Sequence, residues 1–276
     1  MEQLRGRTAL VTGASGGIGR QIARHLAKEG MNVVASGRRE DVLTEVVAEL
    51  RQLGVSSEAV PADLADLSQI DPLIERSEAA LGEVDVLVNN AGLETVGSFT
   101  LCPREQLTSM VDVNLTAPML LTHRVVPGML ERGRGHVVFI SSLAGKLGPA
   151  YNEPYAATKA GLIGLNQSLR AEYRQAPIGF SVICPGFTAG DGMYQRMVDE
   201  GVGSNRLLGE TTTAKVADQV VEAIRHDRPE IVESGSPVRP LLAIGQLSPR
   251  LAERLMDRFG GNEIFRRLAE SRGRIG

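Results

Sequence analysis

Apolar positions along the chain follow two alternating rhythms. Short runs at 8–12 (TALVT), 32–36 (NVVAS), 57–61 (SEAVP), 84–88 (VDVLV), 136–141 (HVVFIS) and 180–185 (FSVICP) are rich in valine and isoleucine and show no clean in/out alternation. A strand wetted on one face alternates with period two, so these runs predict strands buried on both faces. Between them, residues 17–30, 41–54, 66–81, 115–132 and 153–175 read as helices. Several of these segments stop at a glycine, where helices often end. Strands alternating with helices need crossover connections, which are right-handed. The pattern predicts an α/β fold, a doubly wound parallel sheet with helices on both faces.

No repeat, low-complexity block or linker divides residues 1–235, which read as one domain. Residues 236–276 differ in texture. Leu251, Leu255 and Phe259 stand at i, i+4 and i+8 with Ala252 and Met256 beside them, and Ile264, Phe265, Leu268 and Ala269 continue in the same style. Such spacing predicts amphipathic helices. From Pro237 onward eight arginines face four acids, a local +4 on a chain of net charge −3. Arg266 and Glu270, spaced i,i+4, imply a salt-bridged outer face. The expectation is a C-terminal helical extension packed on the same domain or on a partner subunit, with an anionic membrane surface as the alternative.

The net negative charge argues against nucleic acid as a partner. Cys102 and Cys184 lie far apart and outside any CxxC spacing, so neither a metal site nor a disulfide framework is expected. The first residues lack the basic-then-apolar profile of a secretory signal, and no apolar run approaches the roughly 20 residues a bilayer span needs. The expected location is cytoplasmic.

Candidate chemistry begins where the first strand ends, in Gly13-Ala14-Ser15-Gly16-Gly17-Ile18-Gly19. Glycines there let the backbone turn tightly and approach a pyrophosphate, whose charge is favoured at a helix N-terminus. The spacing reads TGxxxGIG. Four landmarks follow in order: Asn89-Asn90-Ala91-Gly92 after the fourth strand, Asn114, Ser142 with Tyr155-x-x-x-Lys159, and Pro185-Gly186 after the sixth strand. On these motifs, residues 5–235 resemble the single-domain short-chain dehydrogenase/reductase family. The resemblance implies a Rossmann-like fold and an oxidoreductase that interconverts a ketone or aldehyde and an alcohol by hydride transfer.

It also implies cofactor contacts. These are Gly13, Ser15, Gly17, Ile18 and Gly19 at the phosphates, Asp63 and Leu64 at the adenine, and Asn90, Ala91 and Gly92 beneath the adenosine and ribose. Pro185, Gly186 and Thr188 would flank the nicotinamide, with Tyr155 and Lys159 at its reacting end. A helix N-cap is the competing role for Asp63, and support of the central strand for Asn90. Cofactor choice is read after the second strand, where an acid holds the ribose in NAD-binding relatives of the fold. Gly37 takes that place here and Arg38 follows it. A guanidinium matches a 2′-phosphate in charge and geometry, so NADP(H) is expected, with NAD(H) the lesser alternative and Arg39 a partial substitute for Arg38.

Tyr155 and Lys159, four apart, share one helix face. A phenol titrates near pH 10, and an ammonium one turn away together with an oxidised nicotinamide would stabilise its phenolate. Tyr155 is thereby suited to give and take the proton of a carbonyl/alcohol pair. Ser142 stands at the family's interval from Tyr155 and is preferred to Ser141 for orienting the substrate oxygen. Asn114 resembles the family asparagine that holds a water linking the lysine to solvent, with a purely structural role as its alternative. Leu143, Leu147, Phe187, Met193, Tyr194 and Met197 imply an apolar pocket that suits a steroid, an acyl chain or a similar lipophilic carbonyl. The family departs from this chain at Pro229–Glu233, where many relatives carry a final strand ending in a Gly-Gly pair. A homodimer or homotetramer through the helices around Tyr155 and 115–132 is expected. A non-catalytic nucleotide-binding sensor on the same fold is the competing function.

Overall fold

The computed structural model describes residues 4–190, 193–200, 209–258 and 260–275, the side chains of Met193, Arg196, Ala252 and Met256 excepted. In the first half, β1 (Thr8–Thr12), α1 (Gly17–Lys28), β2 (Asn32–Gly37), α2 (Glu40–Gln52), β3 (Ser57–Pro61), α3 (Ile70–Leu81) and β4 (Val86–Asn89) alternate strictly. Next come α4 (Arg104–Val111) and α5 (Ala117–Glu131), joined by a π-helical turn at Asp112–Thr116. The chain continues through β5 (Gly135–Ile140), the short α6 (Ala144–Leu147), α7 (Glu153–Glu172) and β6 (Ile178–Pro185). A two-stranded pair, β7 (Thr188–Ala189) and β8 (Thr211–Thr212), brackets α8 (Met193–Asp199) and precedes α9 (Thr213–His226) and β9 (Glu230–Glu233). The C-terminal region folds as α10 (Arg239–Leu247), α11 (Pro249–Arg258) and α12 (Glu263–Ser271).

The main sheet has the order β3-β2-β1-β4-β5-β6-β9, and every pairing in it is parallel. Its unalternated runs are buried on both faces, as the sequence predicts: β1, β5 and β6 are buried throughout. On one face Ile22 and Leu26 of α1, Leu43 and Leu50 of α2, and Val220 and Ile224 of α9 cover the sheet. On the other, Leu73 and Ile74 of α3, Leu121 and Met129 of α5, and Leu162 and Ile163 of α7 do so. The strand order reverses between β1 and β4, so the loops at their carboxyl ends diverge and leave a crevice there. That reversal positions the site described below.

Three local differences from the sequence reading have physical causes. The segment at Pro229–Glu233, which departs from the family pattern, supplies the seventh strand. β9 pairs with β6 from Val182↔Glu230 to Pro185↔Glu233, and as an edge strand it is only half-buried, which weakens its apolar signature. The helix over 66–81 begins with a 3₁₀ turn that Asp66 caps, accepting from the Ser68 amide at 3.1 Å. In the C-terminal region the amphipathic stripe is, among the described residues, buried in α12, where Ile264, Phe265, Leu268 and Ala269 pack against Val96, Tyr194 and Met197. Leu251 of α11 is 45% exposed instead, and Phe259 lies outside the described residues. Arg266 pairs with Glu270 on the outer face of α12. Among the described residues no helix is long and apolar enough to cross a membrane, and no cluster of His, Cys, Asp and Glu gathers to hold a metal.

One buried group links this core to pH. His136 of β5 is buried, its Nε2 lies 2.9 Å from Ser181 Oγ, and burial pushes the imidazole down to about 3. Its native value lies below the unfolded value of about 6.5, so the unfolded chain takes up the proton first. The contribution to stability is therefore fully present above pH ~6.5 and is lost as pH falls from there toward 3, at up to ~1.4 kcal/mol per pH unit. Urea unfolding between pH 7 and 4 should show this slope, and His136→Gln should flatten it.

Candidate active site

The crevice at the carboxyl ends of the strands encloses about 660 Å³. Its floor is the glycine loop, pressed against the end of β4. A Cβ on Gly19 would sit 2.2 Å from the Gly13 carbonyl oxygen, and one on Gly13 would sit 2.9 Å from the Ala91 Cα. Gly13 also has φ +66°, in the left-handed region. Asn90 ties the two elements together, its Nδ2 donating to the Thr12 carbonyl at 2.9 Å. The amides of Asn90 and Ala91 both donate to Thr12 Oγ1, at 3.0 and 3.1 Å. Asn90 therefore supports the central strands, as its competing role supposed, while still facing the crevice.

All sixteen residues expected at the cofactor line this one crevice: Gly13, Ser15, Gly17, Ile18, Gly19, Arg38, Asp63, Leu64, Asn90, Ala91, Gly92, Tyr155, Lys159, Pro185, Gly186 and Thr188. Asp63 is not the helix cap. Asp66 is, and Asp63 Oδ1 accepts the nearby Ala65 amide at 3.1 Å. Arg38 and Arg39 are both exposed at the crevice rim. Of the two, Arg39 reaches over the glycine loop, its Nη2 donating to the Ser15 carbonyl at 2.6 Å.

On the opposite wall stand Ser142, Tyr155 and Lys159. Helix α7 lies over the end of β5, and the Lys159 Nζ donates to the Ile140 carbonyl at 2.8 Å, 5.5 Å from the centre of the Tyr155 ring. Burial pushes the ammonium down to about 8. Burial is also the largest influence on Tyr155 and holds its phenol above the ordinary value; Glu94 adds to this and a hydrogen bond with Ser142 opposes it. The phenol is therefore raised despite the nearby ammonium, because desolvation disfavours a buried phenolate. Ser141 Oγ is committed to the Lys159 carbonyl at 2.8 Å, whereas Ser142 meets Tyr155 and accepts the Ala144 amide at 3.1 Å.

Asn114 is the one expected residue that does not line the crevice. It sits in the π turn, fully buried. Its Oδ1 accepts from Leu93 N at 2.7 Å, and its Nδ2 donates to the Leu93 carbonyl at 2.8 Å and to Thr158 Oγ1 at 3.1 Å. It thereby fixes the loop after Gly92 to α7.

At the substrate end, Leu143, Leu147, Phe187, Tyr194 and Met197 line the crevice, as expected. The Met193 side chain lies outside the described residues. Glu94 and Asn152, which fall in the 93–96 and 143–152 segments that the sequence reading assigns to substrate choice, line the crevice too, as do Gly261 and Phe265 from the C-terminal region. Phe265 stands 6.2 Å from Phe187, which stands 5.2 Å from Tyr194, centre to centre. Asn262 Oδ1 accepts from Ala150 N at 3.1 Å, Ser98 N donates to the Arg274 carbonyl at 2.7 Å, and Arg272 pairs with Glu200 at 2.8 Å. These contacts hold α12 as a wall of the crevice. Only their long-range geometry reveals it, since an apolar stripe in sequence does not say what it covers.

Known proteins share this arrangement. The sequence model for short chain dehydrogenases matches residues 7–200. The ketoacyl reductase HetN of a Nostoc species is 38% identical over 281 aligned positions, covering 100% of this chain and 97% of its own. An actinorhodin polyketide ketoreductase variant solved with NADPH superposes with a TM-score of 0.77 at 30% identity, over 85% of this chain and 98% of its own. A short-chain dehydrogenase/reductase of Burkholderia phymatum, solved with NAD, gives 0.80 at 25% identity over 91% and 96%. A family match over more than half of the chain, with a relative aligned from end to end, establishes that this protein belongs to the short-chain dehydrogenase family and is an oxidoreductase of the CH–OH/C=O type.

Proposed function

We propose that the protein is an NADP(H)-dependent reductase of a lipophilic ketone or aldehyde, with Tyr155 as the proton donor. The observation that carries this reading is the single crevice with a glycine floor at one end and Ser142, Tyr155 and Lys159 at the other. The floor fits a dinucleotide, because Gly13 and Gly19 leave no side chain between the backbone and a pyrophosphate. The bound nicotinamide nucleotide supplies the hydride. Ser142 orients the carbonyl oxygen through its hydroxyl. Tyr155, kept protonated by burial, donates its proton to that oxygen as negative charge develops there. Lys159 then stabilises the phenolate and takes the ribose hydroxyls, and Asn114 acts from behind by holding Leu93 and Thr158. Apolar residues around Phe187 and Phe265 support a lipophilic substrate, and the relatives named for ketoacyl and polyketide ketones support a carbonyl one.

Two exposed arginines and no acid at the end of β2 favour the 2′-phosphate, and the neighbour solved with NADPH agrees. We read residues 1–235 as the nucleotide-binding domain and 236–276 as an extension of it that finishes the substrate wall. Val111, Met119 and Leu120 expose apolar surface on α4 and α5. That face, beside α7, is our assignment for a homodimer or homotetramer contact.

Tyr155→Phe should lower kcat/KM for a carbonyl panel by about two to four orders of magnitude with the Kd for NADPH retained. Nucleotide binding without turnover of any carbonyl in the wild type would favour the sensor reading. Each charge-assisted contact to phosphate is worth about 1.5–3 kcal/mol at best, and less at an exposed rim. Accordingly Arg38→Ala with Arg39→Ala should weaken NADPH about tenfold or more while sparing NADH; equal losses for both would overturn the assignment. Leu120→Glu should shift the sedimentation of the native assembly toward monomer.

A further inference from the structure

Resting on the carbonyl-reductase reading, we propose that Glu94 and Asn152 form a polar subsite beside Tyr155. It takes a hydrogen-bond donor on the substrate, a hydroxyl or an ammonium close to the carbonyl, and turns away ketones that carry a carboxylate there.

The subsite is built rather than incidental. Glu94 directly follows Leu93, whose amide and carbonyl are both held by the Asn114 side chain. The backbone that presents Glu94 is therefore anchored from inside the protein. Across from it, Asn152 precedes the first turn of α7 and is 0% exposed. Its Nδ2 donates to Glu94 Oε1 at 2.7 Å, which sets the orientation of the amide. Its Oδ1 is buried, and among the described residues no donor lies within hydrogen-bond distance of it. An unsatisfied buried carbonyl oxygen is costly and rare in a native structure, and it persists where something else completes it.

Both residues line the crevice that holds Tyr155 and Lys159. Glu94 is also close enough to act electrostatically on each, favouring the phenol over the phenolate and the ammonium over the amine. A carboxylate within that range of the reacting centre meets any polar group a few atoms from the carbonyl. Leu147, Phe187, Met197 and Phe265 line the same crevice, and an apolar lining lowers the dielectric, which strengthens a charge-assisted hydrogen bond and equally strengthens repulsion of an anion. The charged acceptor that faces the crevice is Glu94, held in place by the buried Asn152 amide, and it selects a donor.

The test uses the full chain with NADPH and three probes of one skeleton. They are hexyl methyl ketone, two hydroxylated forms of it (on the methyl and on the β carbon, counted together as the hydroxyketone probe), and the corresponding α-keto acid. One of the hydroxyketones should exceed the plain ketone in kcat/KM by about tenfold, mostly through KM, and the keto acid should fall below it by a similar factor. Glu94→Ala should collapse both ratios toward unity. Glu94→Gln, which keeps an acceptor oxygen without the charge, should admit the keto acid while retaining part of the hydroxyl preference. Unchanged ratios in either variant, with the Tm and NADPH Kd of the wild type, overturn the subsite. If no ketone is turned over at all, it is the reductase reading that fails. Calorimetric Kd values of the same probes on the NADP-loaded wild type and variants then decide the subsite separately.

Discussion

Lys159 carries its ammonium into the interior, 2% exposed, and donates it to the carbonyl oxygen of Ile140 at the end of β5. A buried cation is expensive unless its hydrogen bonds are supplied, and here that need fastens α7 to the sheet. Once the ammonium is seated, the Lys159 carbonyl accepts from Ser141, and Gly145 passes so close beneath the Lys159 backbone that a Cβ would lie 2.7 Å from its carbonyl carbon. Tyr155, one turn earlier on the helix, and Thr158, which meets Asn114, take their positions from the same contact. The phenol, the serine and the ammonium that we assign to chemistry share the anchorage that the buried Lys159 ammonium gives α7.

The other half of the crevice depends on a backbone approach in place of a charge. Thr12 and Asn90 bind the ends of β1 and β4 together, and the glycines make room for that closeness. Neither half would form a cleft without the reversal of strand order between β1 and β4, which parts the loops above them. The C-terminal helix closes the remaining side. Its apolar face needed a partner, and the rings of Phe187 and Tyr194 supplied one. The same packing that stabilises α12 thus gives the substrate end its shape.

Electrostatics inside this enclosure run against the simplest reading of a tyrosine beside a lysine. An ammonium one turn away is expected to favour the phenolate, yet the phenol of Tyr155 is raised, because burial disfavours its ionisation and Glu94 adds to that cost. Burial and Glu94 thus both favour the protonated phenol of Tyr155, the form that our proposed proton donation requires.

The unalternated apolar runs of β1, β5 and β6 were legible in the sequence because burial on both faces removes the need for polar positions. The glycine loop and the Tyr155–Lys159 pair were legible too, since a tight turn and a shared helix face are local properties of the backbone. β9 was harder to read, because an edge strand is half wetted and carries a mixed pattern. Choosing Arg38 over Arg39 went beyond local information: which guanidinium leans over Ser15 depends on how the loop packs. For Glu94 and Asn152 only their segments were legible, and for Phe265 only its apolar stripe; that the first two meet each other, and that the third joins the same crevice, follows only once the sheet, α7 and α12 have packed. Local periodicity and spacing determined the strands, the helices and the pairing of Tyr155 with Lys159 on one helix face. Long-range packing alone decided what surrounds that pair, because contacts between distant segments are set by the closing of the fold and by nothing in the spacing of either segment.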